Sequence, residues 1–392
     1  MSSLVSDVIK SGILSLDETG LAQLLGEIKQ RALKGEFDGQ KQIPPDIIER
    51  LRQAGLYRSL VSKRFGGTES TPADFCRLIE CIAEADGSTG WVASFGMSPV
   101  YLSALPLQTL STLYNTDQGA NLIFAGGIFP PQPATVVDGG MRFSGRWKYS
   151  SGCLGADIIG VGIEPMTEGK KDLPRIAVIP RSAVNIDRTW DTVGLTGTGS
   201  HDLMANDAFV PEDWTFIRGG KSNLDEPLFR YPSLSFATQV LSVVAIGIAR
   251  RAIDEVRGLS GHSASVTGAP PTSQRPSAKI DIAKAEASLQ SLRAYFYDSI
   301  DTAWAYVLRG EPVPADKINM LRLSSTHAVR EAANICRKMQ MLMGMSGIVK
   351  NNAVARCVND SLVITQHAFM GEMTYLNAGS MLCGQEPSPG YL

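Results

Sequence analysis

INMLRLSSTHAVREAANICRKMQML, residues 318–342, places Ile318, Leu321, Ser325, Ala328, Ala332, Ile335, Met339 and Leu342 at spacings that alternate between three and four. That spacing lines the side chains along one stripe of a helix, and the small residues at its centre let a neighbouring helix approach closely. The stretch reads as a bundle seam. Leu289, Leu292, Phe296, Ile300, Ala303, Trp304 and Val307 mark a second long helix. The near-apolar run Phe236–Ala249 contains Thr238, Gln239 and Ser242 and is followed by Arg250-Arg251. It is too short to span a bilayer and reads as a buried helix. The polar, turn-rich stretch from Gly258 to Ser277 separates two of these helices as a loop.

Working towards the N-terminus, residues 121–216 change character: apolar runs shorten and turn residues become frequent. Thr135–Tyr149 reads as a hairpin around Asp138-Gly139-Gly140, and Ile158–Ile163 and Ile176–Ile179 as buried strands. A small β domain, closed enough to be a barrel, is expected. Residues 1–120 are helical again. Leu21, Leu24, Leu25, Ile28, Ala32 and Leu33 fall at helical spacing. A second helix starts at Pro44-Pro45 and stops at Gly55, and a third runs from Thr71-Pro72 to Gly87. Phe65-Gly66-Gly67 is a turn between them. The expected division is 1–120, 121–216 and 217–392.

The 392 residues carry 37 basic and 39 acidic side chains, a net charge of −2, with no local basic block. This excludes a nucleic-acid binder that works by bulk attraction. No basic segment followed by an apolar stretch opens the chain, so a secretory signal is not expected. The six cysteines form no C-x-x-C, and reduced thiols in a cytoplasmic protein are expected.

Gly194-Leu-Thr-Gly-Thr-Gly-Ser200 has its glycines in the order G-x-x-G-x-G and leads into a strand-like segment, unlike a dinucleotide loop. No Walker sequence occurs, so NAD or ATP binding of the usual kind is not expected. Two readings stay open for this stretch: a β turn or a flavin-facing loop. The histidines at 201, 262, 327 and 367 lack metal-ligand spacing, and no metal is expected. No G-x-S-x-G elbow is present either. If residues 352–378 form one helix, Arg356, Asp360, Val363 and His367 share a face. A charged pair and a histidine on a buried stripe are costly unless paired or used. Trp147-Lys-Tyr-Ser150-Ser151-Gly152 puts hydroxyls at a strand end beside a glycine, a turn able to face a flat heterocycle.

The order of helical domain, small β domain and helical bundle resembles the acyl-CoA dehydrogenase fold along nearly the whole chain. Gly66-Gly67, Gly194–Ser200 with Val210-Pro211, and Arg356 with Asp360 match its motifs, although Asn359 stands where a second arginine is usual. The resemblance implies a mostly α, α+β protein: N-terminal helical domain, middle β-barrel, C-terminal four-helix bundle. Dehydrogenases of this family commonly carry a carboxylate base where Met370 stands here, and methionine cannot abstract a proton. His367, three residues earlier, is similar instead to the flavin-dependent monooxygenases of this fold, the oxygenase components of two-component systems. Ala85–Pro99, Phe124–Pro133, Thr365–Gly371 and Pro389–Leu392 resemble, within them, the indole-3-acetate and indole monooxygenases.

The resemblance implies reduced flavin, FMNH2 or FADH2, delivered by a separate reductase, and O2 as co-substrate. It implies that oxygen adds at the flavin C4a and that the hydroperoxide oxygenates indole, indole-3-acetate or another small aromatic. It implies Ser151, with Ser150 as substitute, as acceptor of the flavin N5 hydrogen, and His367 as the proton-active group, its ordinary pKa near 6.5 suiting proton traffic. Thr196, Thr198, Ser200 and Arg275 are further flavin candidates, Arg275 for the phosphate, commonly across a subunit boundary. Trp91, Phe95, Tyr101, Phe369 and Met370 are substrate candidates. A homotetramer assembled through the bundle is expected. A dehydrogenase or nitroalkane-oxidase chemistry, a phenol hydroxylase of the same fold, and an inactive binding protein are the alternatives.

Overall fold

The computed structural model describes residues 3–167, 170–171, 173–259, 270–271 and 274–392. The middle of the predicted 258–277 loop lies outside the described residues. Eight helices come first: α1 (Ser3–Lys10), α2 (Glu18–Leu33), α3 (Glu36–Gln40), α4 (Pro45–Gln53), α5 (Pro72–Ala85), α6 (Gly87–Ser94), α7 (Ser98–Leu102) and α8 (Leu107–Tyr114). The capping chemistry explains their starts. Asp17 caps α2 through the Gly20 N–H, Pro45 opens α4, and Thr71 caps α5 through the Asp74 N–H. Gly66, at φ 85°, makes the expected turn. One end differs from the reading: α5 stops at Ala85, and Asp86 both closes it and caps α6. Gly87 therefore begins a helix instead of ending one.

The strands are β1 (Phe124–Val137), β2 (Gly140–Ser150), β3 (Ile158–Thr167), β4 (Lys170–Lys171), β5 (Arg175–Pro180), β6 (Asn185–Asp187), β7 (His201–Pro211) and β8 (Thr215–Phe216). They form one mixed sheet in the order β6-β7-β2-β1-β3-β5-β8, with β4 on β3. β1 and β3 run parallel, and the other pairs are antiparallel. The β1–β2 hairpin turns at Asp138-Gly139, as its sequence indicates. Among the described residues no ladder joins β6 to β8, so hydrogen bonds do not complete a barrel. Trp147 is fully buried in the sheet and donates its indole N–H to Gly162 O at 2.8 Å.

The remaining helices are α9 (Pro227–Arg230), α10 (Ser233–Leu259), α11 (Pro276–Leu308), α12 (Ala315–Met343), α13 (Ala353–Thr365) and α14 (Glu372–Leu382). α10 is long and apolar enough to cross a membrane by composition, yet 83% of its most apolar window is buried inside the protein. It is the core helix, packed against α5, α12 and α13. The seam on α12 is used within this chain: Leu321, Ser325, Ala328, Ala332, Ile335 and Met339 are all buried.

One expectation fails here. Residues 352–378 are not one helix. α13 ends at Thr365, His367 takes an extended backbone (φ −66°, ψ 140°) and caps a short 3-10 turn, Ala368–Met370, before α14 begins. The imidazole supplies an acceptor to the Phe369 N–H and so competes with helix continuation.

Candidate active site

The end of β2 builds the first half of the site. Tyr149 has φ 66°, and the β2–β7 register slips between Trp147 and Ser150. Such an irregularity re-aims side chains, and both Ser150 and Ser151 are buried. Ser151 Oγ accepts the Trp91 indole N–H at 3.0 Å and lies 2.7 Å from Ser200 Oγ. Ser200 Oγ lies 2.7 Å from Thr198 Oγ1, which donates to Leu195 O at 2.8 Å. The proton order follows by elimination. A carbonyl only accepts, so the Thr198 proton points to Leu195; Ser200 must then donate to Thr198, and Ser151 to Ser200. Ser151 is left with one free lone pair and no free proton.

The loop carrying these hydroxyls is docked from behind. A Cβ on Gly194 would stand 2.3 Å from the Asn359 carbonyl, so only glycine fits. The Leu195 N–H donates to Asp360 Oδ1 at 2.6 Å. Arg356 binds Asp38, and its Nη2 lies 3.2 Å from Asp86 Oδ1, while Asp86 Oδ2 accepts the Thr89 N–H and hydroxyl at 2.8 Å each. Burial pushes the Asp360 carboxyl up, to about 7. Arg356 and Asp360 thus tie α3, α6, α13 and the 194–200 loop together. They do not share a stripe with His367. Asn359 is exposed.

α6 carries Trp91 into the middle. Its ring meets the His367 imidazole edge-on, with centroids 5.7 Å apart, and His367 meets Phe369 at 5.0 Å. His367 Nδ1 accepts the Phe369 N–H at 3.3 Å, so the neutral imidazole carries its proton on Nε2. Burial, aided by the Arg218 charge, lowers the His367 pKa to about 4. This corrects the expectation of an ordinary histidine titrating near neutrality: His367 is uncharged at pH 7.

The other candidates divide. Tyr101 is half-buried, with its hydroxyl 3.4 Å from Arg218 Nη2, and the Phe369 ring lies beneath the guanidinium groups of Arg218 and Arg322. Trp91 spans Ser151 and His367. Phe95 packs on the hydrophobic core. Met370 is fully buried, with its sulfur 3.4 Å from Ser242 Oγ and its carbonyl bound by Arg330; it is core rather than wall. Thr196 Oγ1 turns back to Thr192 O at 3.1 Å, away from the hydroxyl chain. Arg275 stands just before α11 without capping it and donates to Pro270 O at 2.6 Å, with no link inside this chain to the other candidates among the described residues. The sequence reading missed Arg218, Arg322, Phe129 and Tyr391. Only the terminal Pro389–Leu392 and Phe124–Pro133 matches hinted at two of them.

Comparison with known proteins now decides the family. Residues 239–372 match the acyl-CoA dehydrogenase C-terminal domain family. An indole-3-acetate monooxygenase of Pseudomonas putida is 61% identical, covering 94% of each chain. The chain belongs to the flavin-dependent monooxygenases of the acyl-CoA dehydrogenase fold. A flavin-dependent monooxygenase oxygenase subunit, HsaA, of Rhodococcus jostii is 26% identical over 89% of this chain and 93% of its own. The crystal structure of the 3-HSA hydroxylase from Rhodococcus sp. RHA1 superposes with a TM-score of 0.88 at 25% identity, covering 96% of this chain and 98% of that one.

The oxygenase uses reduced flavin and works with a separate flavin reductase. Its residues fit that cofactor. Ser151 keeps one lone pair for a ring N–H, and the adjacent Ser150 Oγ is buried without a partner, a polar atom that a flavin edge would satisfy.

Proposed function

We propose that this oxygenase inserts one atom of O2 into an indolic ring, with Ser151 holding the reduced flavin and His367 serving the reacting oxygen. The observation that supports this reading is the hydrogen-bonded chain Trp91–Ser151–Ser200–Thr198, with His367 in edge contact with the same tryptophan. The indolic substrate draws on the likeness to the Pseudomonas putida indole-3-acetate monooxygenase. Bound reduced flavin supplies the electrons that activate O2. Ser151, its own proton committed to Ser200, accepts the flavin N5 hydrogen. Ser200 and Thr198 act through Ser151 and position it. Trp91 fixes the distance between Ser151 and His367 and fills space that water would otherwise enter. His367, neutral, offers its Nε2 hydrogen to the developing charge on oxygen. Phe369 and Tyr101 form the substrate wall. Arg275 serves the flavin phosphate of a neighbouring subunit.

The test is aerobic incubation with a flavin reductase, NADH, FMN or FAD and a panel of indoles. Oxygenated indoles, including blue pigment from indole itself, are the expected products. NADH consumption that yields only hydrogen peroxide with every indole contradicts the reading.

Ser151→Ala should weaken reduced-flavin binding about 10-fold, the scale of one hydrogen bond in a buried site, and raise peroxide release. Unchanged affinity and coupling would remove Ser151 from the flavin contact. The wild-type protein should bind reduced flavin more tightly than oxidised flavin, because only the reduced ring carries an N5 hydrogen for Ser151. Anaerobic titrations showing equal or tighter binding of the oxidised form reject this.

The tetramer needs a new basis, since the α12 seam is consumed inside the chain. The exposed apolar side chains of Met341 near the end of α12, of Met345, Ile348 and Val349 after it, and of Met373, Leu376 and Leu382 on α14 support assembly. Light scattering should report a tetramer; a stable monomer at micromolar concentration contradicts it. Six free cysteines, five of them buried, support a cytoplasmic location.

A further inference from the structure

Arg218, in the segment after β8, and Arg322, in the first third of α12, converge on one ring. Their guanidinium carbons stand 5.1 and 5.5 Å from the Phe369 centroid. Arg218 also stacks on Tyr101 at 5.6 Å and Phe129 at 5.8 Å, and Arg322 on Tyr391 at 5.1 Å. What is missing is an anion. Arg293 has Glu80 and Arg356 has Asp38 and Asp86, but neither Arg218 nor Arg322 has a carboxylate partner among the described residues. Arg218 makes one long hydrogen bond, to the Tyr101 hydroxyl at 3.4 Å. Arg322, only 7% exposed, makes none among the described residues, and the Nε of each is buried without a partner there. Two cations over one ring repel each other, and burying Arg322 is costly unless an anion arrives. Aromatic faces offset only part of that cost.

We propose that Arg218 and Arg322 form a subsite for the carboxylate of an aryl-acetate substrate, resting on the reading of the site as an indole oxygenase. A guanidinium is a planar fork that matches a carboxylate in two parallel hydrogen bonds. Phe369 connects the pair to His367, whose ring is 5.0 Å away. A carboxylate on the arginines therefore leaves the attached ring on the Phe369, His367 and Trp91 side, where oxygen insertion is to occur. The pair thereby sets which indole is taken and how it is turned.

The decisive comparison uses indole-3-acetate and its neutral isostere indole-3-acetamide, titrated calorimetrically into the full-length protein. Wild type should bind the acetate at least about 30-fold more tightly. Arg218→Gln and Arg322→Met should each cut acetate affinity about 10- to 100-fold, the range for a charge-assisted hydrogen bond, and narrow the acetate-to-acetamide ratio in binding and in kcat/KM alike. Arg322→Met should not lower the unfolding temperature of the ligand-free protein, since it removes a buried charge that lacks a partner. Equal binding of the two ligands by wild type overturns the proposal. So do variants that weaken reduced-flavin binding while the ratio stays put, which would make the pair a phosphate site. A wild-type preference abolished in the variants, with no indole oxygenated by any of them, leaves the subsite standing and rejects the oxygenase reading instead.

Discussion

His367→Ala should cut coupled product formation about 100-fold or more, the scale for losing a positioned hydrogen-bond donor to developing charge. The fold should persist, because His367 stands between α13 and α14, outside both helices. Reduced flavin should still react with oxygen, so NADH consumption continues and hydrogen peroxide accumulates. His367→Asn is the sharper variant: it retains a side-chain acceptor for the Phe369 N–H but places no N–H where Nε2 stands. If capping the 368–370 turn is all that His367 does, asparagine restores coupling. If Nε2 serves the reacting oxygen, both variants fail alike. The pH dependence carries a sign. With its pKa lowered to about 4, His367 stays neutral in the folded protein while the unfolded chain binds a proton below about 6.5. Its contribution to stability therefore falls as pH drops from 6.5 towards 4. Wild-type activity should show no His367 limb near 6.5, and His367→Asn should lose less stability than wild type across that window. A wild-type limb near 6.5 that vanishes in His367→Asn would contradict the neutral assignment.

Arg356→Met should be the most destabilising of these substitutions. It strands Asp38 and the buried Asp86, and breaking a buried ion pair costs about 3–5 kcal/mol. The loss should reach the site, since Asp86 caps α6, the helix that brings Trp91 to Ser151. Arg356→Lys keeps the charge but cannot fork between two carboxylates, so it should recover only part of the stability. Urea unfolding is the measurement. A midpoint within error of wild type for Arg356→Met would show that Arg356 does not hold α3, α6 and α13 together.

The sequence discloses the bundle well because α12 buries a stripe from Leu321 to Met339 in an unbroken three-four rhythm. α6 escapes notice for the opposite reason. Every residue from Gly87 to Ser94 is buried, so no polar face sets a period; Asp86 as a cap is its one local sign. The break at His367 is invisible to periodicity, since Val363, Ile364 and Phe369 continue an apolar pattern that one imidazole–backbone hydrogen bond interrupts. The open question over Gly194–Ser200 has a double answer: Gly194 and Leu195 are packing, while Thr198 and Ser200 extend the Ser151 chain. That division depends on Asp360, 165 residues away along the chain. The arginine pair was equally hidden, because each member is an ordinary basic residue until the fold places both over Phe369.

Whether the residues around Ser151 and His367 direct an oxygen atom from O2 onto an indole is tested most directly by a single-turnover experiment. Protein, chemically reduced flavin and indole-3-acetate are combined without oxygen, and the mixture is then exposed to 18O2. The expected product is an oxygenated indole carrying one 18O atom, with the second in water. Recovery of unaltered indole-3-acetate beside 18O-labelled hydrogen peroxide, or of a product that takes its oxygen from water, would contradict that role.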